Sequence, residues 1–181
     1  PERKGFDARK TRTVAYKTPF YRATSLIVAT NPDRQAGRLQ VSFLQRGSEF
    51  VALRGTSPPI HEFNAKFKTH ITPKHALAYL AFFCFFVRGE EGPFLIVDRA
   101  ANRYVPARLQ NSKAIGACPR VRLWGTDERG YVRASAPVFY SNALYAADFL
   151  IHPTGMIEMV DDLPLVADLE ERVDAPIDPS K

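Results

Sequence analysis

Cysteine is scarce in this chain: its 181 residues include two, Cys84 and Cys118. Small disulfide-stapled folds are dense in cysteine, so that class is excluded. Two cysteines this far apart also fit no zinc-ligand spacing, and no metal is expected on them. Cys84 sits inside the apolar run AFFCFFV, where a free cysteine behaves as a small hydrophobe. The reading is two free thiols in the cytoplasm or another reducing compartment. Glycosylation acceptors are missing too, since none of the five asparagines has Ser or Thr two residues on.

Long apolar runs are also missing. The longest, Ala76 to Val87, has twelve residues, whereas spanning a bilayer takes about 20. A buried element is expected there, and no membrane partner. Residues 1–22 are basic and hold no apolar core segment, so no signal peptide is expected. No internal repeat is found. The chain has no G-x-S-x-G, no P-loop and no G-x-G-x-x-G, hence no nucleophile elbow or phosphate cradle and no expected cofactor. The phrase RGEEGPF looks like a signature, but no chemistry attaches to it.

What is present is an ordinary globular mix, 45% hydrophobic and 24% charged. A chain of this length can bury about 70% of the surface its unfolded form exposes. The net charge of +6 is unevenly placed: +5 over residues 1–22, +7 over 23–157 and −6 over 158–181. Such asymmetry points to ends that meet each other or meet different partners. The expected organisation is a basic extended arm over 1–22, one domain over 23–170, and an acidic, proline-containing tail over 171–181.

The domain reads as α+β. TSLIVAT is a short strand closed by Asn31-Pro32. RLQVSFLQR and EFVALR flank Gly47-Ser48 as a hairpin, ended by Pro58-Pro59. Thr72-Pro73 opens a helix and Gly89 stops it, with Arg88 in its last turn. That helix, about residues 73–88, is apolar on every face in its second half and carries Phe82, Phe83, Phe85 and Phe86. Strand segments follow: PFLIVD, then RVRLWG and YVRASAPVFY around a polar turn, then ALYAADFLIH and MIEMV around Pro153-Thr154-Gly155. Asp161-Asp162 is expected to end the last strand, with a helical turn after it. The expected fold is a curved antiparallel sheet packed on one central buried helix. Its layout is similar to cystatin-like one-helix sheet folds, an analogy that carries no function.

The candidate site residues are few. His61, with Glu62, follows a proline pair in an expected loop, where polar groups are often presented to a site. The pair lacks the second histidine of a metalloprotease helix, because position 65 is Ala. His70 and His75 are spaced poorly for chelation. Cys118, beside Arg120 in GACPR, is the more reactive thiol candidate. Glu158, Asp161 and Asp162 form an acid cluster that reads as a solvated strand end. Arg9, Lys10 and Arg12 of the arm, with Arg120, Arg122 and Trp124 on one strand face, are a nucleic-acid candidate. Tyr79, Trp124, Tyr140 and Tyr145 are candidates to line a small-molecule pocket.

The functional reading is a non-catalytic protein-interaction subunit that associates with a protein partner or with itself. Two alternatives stand beside it. One is a binding or hydrolytic pocket using His61 and Glu62. The other is a nucleic-acid contact through the arm and Arg120/Arg122.

Overall fold

The computed structural model describes residues 9, 11–31, 39–97, 113–170 and 172. Antiparallel sheets with helices between them make an α+β fold. The chain divides into two compact units, with the boundary between Arg54 and Gly55.

The first unit is a four-stranded antiparallel meander of β1 (Arg12–Lys17), β2 (Ser25–Asn31), β3 (Leu39–Arg46) and β4 (Glu49–Leu53), paired in that order. β1 lies within the stretch read as an arm. It is exposed along nearly its whole length, so burial imprints no alternation on its sequence. Pairing with β2 supplies its ladder. The β1–β2 connection is held by the Thr18 hydroxyl, which donates to the Thr24 carbonyl at 2.8 Å. The β3–β4 hairpin turns at Gly47-Ser48 as expected, and Gly47 takes φ +60°, which glycine adopts at no steric cost.

The second unit begins with a helix where the sequence predicts a loop. α1 spans Pro58–Lys66. The two prolines expected to end a strand occupy the first helical positions, where a missing N–H costs nothing, and β4 has already ended at Leu53. Ile60, Phe63 and Asn64 share its buried face. A one-helix layout is therefore corrected, and His61 lies on a helix.

α2 (Pro73–Phe86) is the expected apolar helix. Thr72 has extended cap geometry, but its hydroxyl makes no capping hydrogen bond. The helix ends earlier than expected, because Val87 turns extended and the Arg88 N–H donates to the Gly55 carbonyl at 2.9 Å. Arg88 thus leaves the last turn and forms β5 (Arg88–Gly89), paired with β6 (Gly92–Pro93). Seven α2 residues are buried, among them Phe82, Phe83 and Phe86, each contributing roughly 1.5–3 kcal/mol by burial.

Five strands complete this unit: β7 (Leu95–Ile96), β8 (Arg122–Thr126), β9 (Val132–Tyr140), β10 (Ala143–Ile151) and β11 (Ile157–Val166). The order is β11-β10-β9, with β8 and β7 sharing the far side of β9. A short helix, α3 (Lys113–Ala117), precedes β8. α2 packs against β6, β7, β8 and β9. On another part of the sheet, Ile115 and Cys118 pack with Leu95, Val97, Phe139 and Leu144.

β11 corrects a second expectation. It does not end at Asp161-Asp162 but runs on through Leu163 and Pro164 to Val166. The carboxylates are exposed, and a proline is tolerated on an edge strand, where its missing N–H can face outward. No helical turn forms there.

Candidate functional site

The β10–β11 hairpin is fixed from below. Its turn closes with the His152 N–H donating to the Met156 carbonyl at 2.8 Å, and Gly155 takes φ +85°. The Pro153 carbonyl accepts the Ile71 N–H at 2.8 Å. The Tyr79 hydroxyl donates to the Gly155 carbonyl at 2.6 Å and accepts from Asn64 Nδ2 at 2.8 Å. Both helices thus anchor the turn from which β11 departs.

β11 ends the order of its sheet among the described residues, with β10 as its neighbour there. Eight large hydrophobics are exposed among the described residues, and five of them lie between Met156 and Leu165. Leu163 is 64% exposed, Val160 51% and Met159 50%. They are neighbours along the strand but divide between its faces: Met159 lines a cavity with Tyr145, and Val160 lines a different one with Trp124. Glu158, Asp161 and Asp162 are exposed within the same strand. Asp161 also lies opposite Asp148 of β10, so like charges face across the ladder. The strand is therefore an apolar edge with an acidic character.

The Arg and Trp candidates divide. Trp124 is 56% exposed, and the Arg122 guanidinium sits 3.9 Å from its ring centroid. The Trp124 indole N–H donates to Ser135 Oγ, and that hydroxyl donates to Asp148. Trp124 and Arg133 line one open pocket with Asp148, whose carboxylate offsets the positive charge. Arg120 is exposed but precedes β8, and the register shifts around Trp124. The strand alternation read from the sequence therefore does not place all three on one face. In the first unit, Arg9 and Arg12 are exposed, while Lys10 lies outside the described residues.

The tyrosine candidates also separate. Tyr140 and Tyr145 line a cavity of about 220 Å³ with Phe94 and Asp162. A smaller one, about 130 Å³, shares Phe94, Val138 and Met159 and reaches Phe83 and Cys84 of α2. Phe94 stacks on Tyr140 with ring centroids 4.3 Å apart. The Tyr140 hydroxyl accepts the Glu91 N–H at 3.0 Å and lies where a side chain on Gly89 would go. The RGEEGPF phrase thus builds a tight turn seated under Tyr140. Tyr79 is fully buried, its hydroxyl committed to the turn described above.

His61 is half-buried on α1 with its ring 5.6 Å from that of Phe83, while Glu62 beside it is exposed. Adjacent helical residues point about 100° apart, so the two do not converge. Cys118 is buried, unlike a reactive loop thiol, and Cys84 is buried with its pKa pushed up to about 12 by desolvation. Among the described residues, no three His, Cys, Asp or Glu side chains gather to hold a metal ion.

One cluster is absent from the sequence reading. His152 stacks on Tyr131 with centroids 3.7 Å apart, and the Arg129 guanidinium lies 4.5 Å over the other ring partner, Tyr131. His152 Nε2 is 2.9 Å from Glu158 Oε1, without the alignment of a hydrogen bond. These residues come from two different hairpins and clamp their ends together. Local sequence gives no signal for it, because the β9–β10 pairing creates the proximity.

The chain matches no known protein family, no characterised protein and no solved structure.

Proposed function

We propose that this chain is a non-catalytic protein-interaction module whose β11 edge receives an extended segment of a partner. The observation that carries the reading is the exposure of Met159, Val160, Leu163 and Leu165 along a strand that ends its sheet among the described residues. Main-chain hydrogen bonds to such an edge supply affinity, and alternate side chains supply selectivity. In this reading the β7–β11 sheet curves over α2 as a central helix, and β11 is its outward rim. The two buried thiols fit a reducing compartment. No helix among the described residues is long and apolar enough to cross a membrane.

The test is parallel immobilisation of the wild-type protein and a Val160→Lys/Leu163→Lys variant. Both positions are exposed, so the variant should melt as wild type does. A protein retained by wild type and lost by the variant supports the reading. Equal retention sinks it, as does retention neither of another protein nor of added free copies of this chain.

A second reading, contact with single-stranded nucleic acid, rests on the Arg122–Trp124 stack beside Arg133. Heparin and oligonucleotide affinity should then fall steeply with salt, and more weakly so after Arg122→Ala. Binding indifferent to salt would remove it.

A further inference from the structure

We infer that the β11 edge is occupied by a second copy of this chain, through the edge of that copy's β1, so that copies join head to tail. The inference rests on the reading of β11 as a partner surface and names the partner.

Two sheet edges carry the argument. β1 ends the order β1-β2-β3-β4, and β11 ends the order β11-β10-β9-β7. Each has one strand neighbour among the described residues, and its other row of N–H and C=O groups has no strand partner among them. β1 is exposed, basic at both ends with Arg12 and Lys17, and shows Tyr16 at its surface. β11 is exposed, acidic at Glu158, Asp161 and Asp162, and shows Met159, Val160 and Leu163. The charges are complementary, and the apolar surface is matched by apolar surface.

Laying Arg12–Lys17 antiparallel on Glu158–Leu163 sets Lys17 opposite Glu158 and Tyr16 opposite Met159. β11 carries an extra residue at Val160, where its pairing with β10 shifts, and Arg12 then falls near Asp161 and Asp162, within reach of a long side chain. Pro164 follows directly. With no N–H to give, it limits the outer ladder to the stretch that a six-residue strand can cover.

Pairing of like edges is disfavoured. Full-length two-fold pairing of Ile157–Val166 sets Asp161 of one copy opposite Asp162 of the other. The same operation on β1 sets Arg12 opposite Lys17. Each edge repels itself and attracts the other, which selects the unlike contact. An unlike contact either closes reciprocally, with β1 of each copy on β11 of the other, or propagates into a ring or an open chain.

Charge reversal tests this. One variant carries Arg12→Glu/Lys17→Glu, the other Glu158→Lys/Asp161→Lys. All four positions are exposed, and circular dichroism with thermal melting establishes that both variants fold. Sedimentation velocity of wild type at rising concentration should show multiples of 20.3 kDa. Each variant alone should associate about tenfold more weakly, since attractive pairs have become repulsive ones. An equimolar mixture of the two should recover association, because each then meets an opposite edge. If the β11 variant fails to associate while the β1 variant behaves as wild type, the β1 occupant is overturned and the β11 surface stands. A wild type that stays monomeric overturns the inference. In that case the immobilisation experiment decides the fate of the β11 surface by itself.

Discussion

The Tyr79 hydroxyl donates a 2.6 Å hydrogen bond to the carbonyl of Gly155, tying the middle of α2 to the β10–β11 turn. Asn64 of α1 donates to the same hydroxyl, so one buried oxygen joins three elements. Tyr79→Phe removes it and leaves the Gly155 carbonyl and the Asn64 amide without that partner. The expected loss is about 1–3 kcal/mol in urea unfolding. Gly155→Ala should cost at least as much. Its φ is +85°, and a Cβ would run into Asn64 Nδ2 and the Tyr79 hydroxyl. Wild-type stability in either variant would mean that the turn is not anchored this way.

Cys84 should resist alkylation in the folded protein. Burial raises its pKa from 9.0 to about 12, which keeps the thiol protonated at neutral pH. Intact mass after iodoacetamide should show no adduct on Cys84 until denaturant is added. The linked effect has a definite sign. From pH 9 to 12 an unfolded thiol has lost its proton and the folded one has not, so stability falls as pH rises through that window. Cys84→Ala should remove this part of the slope, and an unchanged slope would count against a buried, protonated thiol.

Asp127 works in the opposite direction. The Tyr131 N–H, then the Arg129 side chain and N–H, hold its carboxyl below the ordinary aspartate range. Its contribution to the β8–β9 turn is present above that ordinary range and lost as pH falls through the lowered folded value. Asp127→Asn should therefore be less stable than wild type at neutral pH, and the gap should narrow in acid. A gap independent of pH would rule out the carboxylate as its origin.

The single tryptophan gives a direct optical check. Trp124 is half-exposed with one face covered by Arg122. Its emission should be red-shifted and readily quenched by acrylamide. Arg122→Ala should increase the quenching and cost less than about 1 kcal/mol, the size of an exposed cation–π contact. Blue emission that resists quenching would contradict an exposed indole.

The elements that could be read from sequence share one property: their signals are local. α2 announces itself through Thr72-Pro73 and a phenylalanine-rich run. The β8–β9 and β10–β11 hairpins follow from turn residues between apolar stretches. The failures share the opposite property. A proline pair can stop a strand or start a helix, and sequence alone gives no means of choosing; Pro58-Pro59 starts α1, after β4 has ended at Leu53. In β11, Asp161-Asp162 reads as a strand end, a reading that holds in the interior of a sheet and lapses on a strand that ends its sheet among the described residues.

The amino-acid sequence by itself determined the α+β class, the buried helix, the Cys84 thiol held in apolar surroundings and the opposite charge of the two ends. Propensity, periodicity and composition act over a few residues, so these can be read along the chain. Only the tertiary structure decided that β11 lies at an edge, that Tyr79 serves Gly155 and not a pocket, and that His152 meets Tyr131. Each depends on strand order or helix placement, which joins residues tens of positions apart and leaves no mark in any local window.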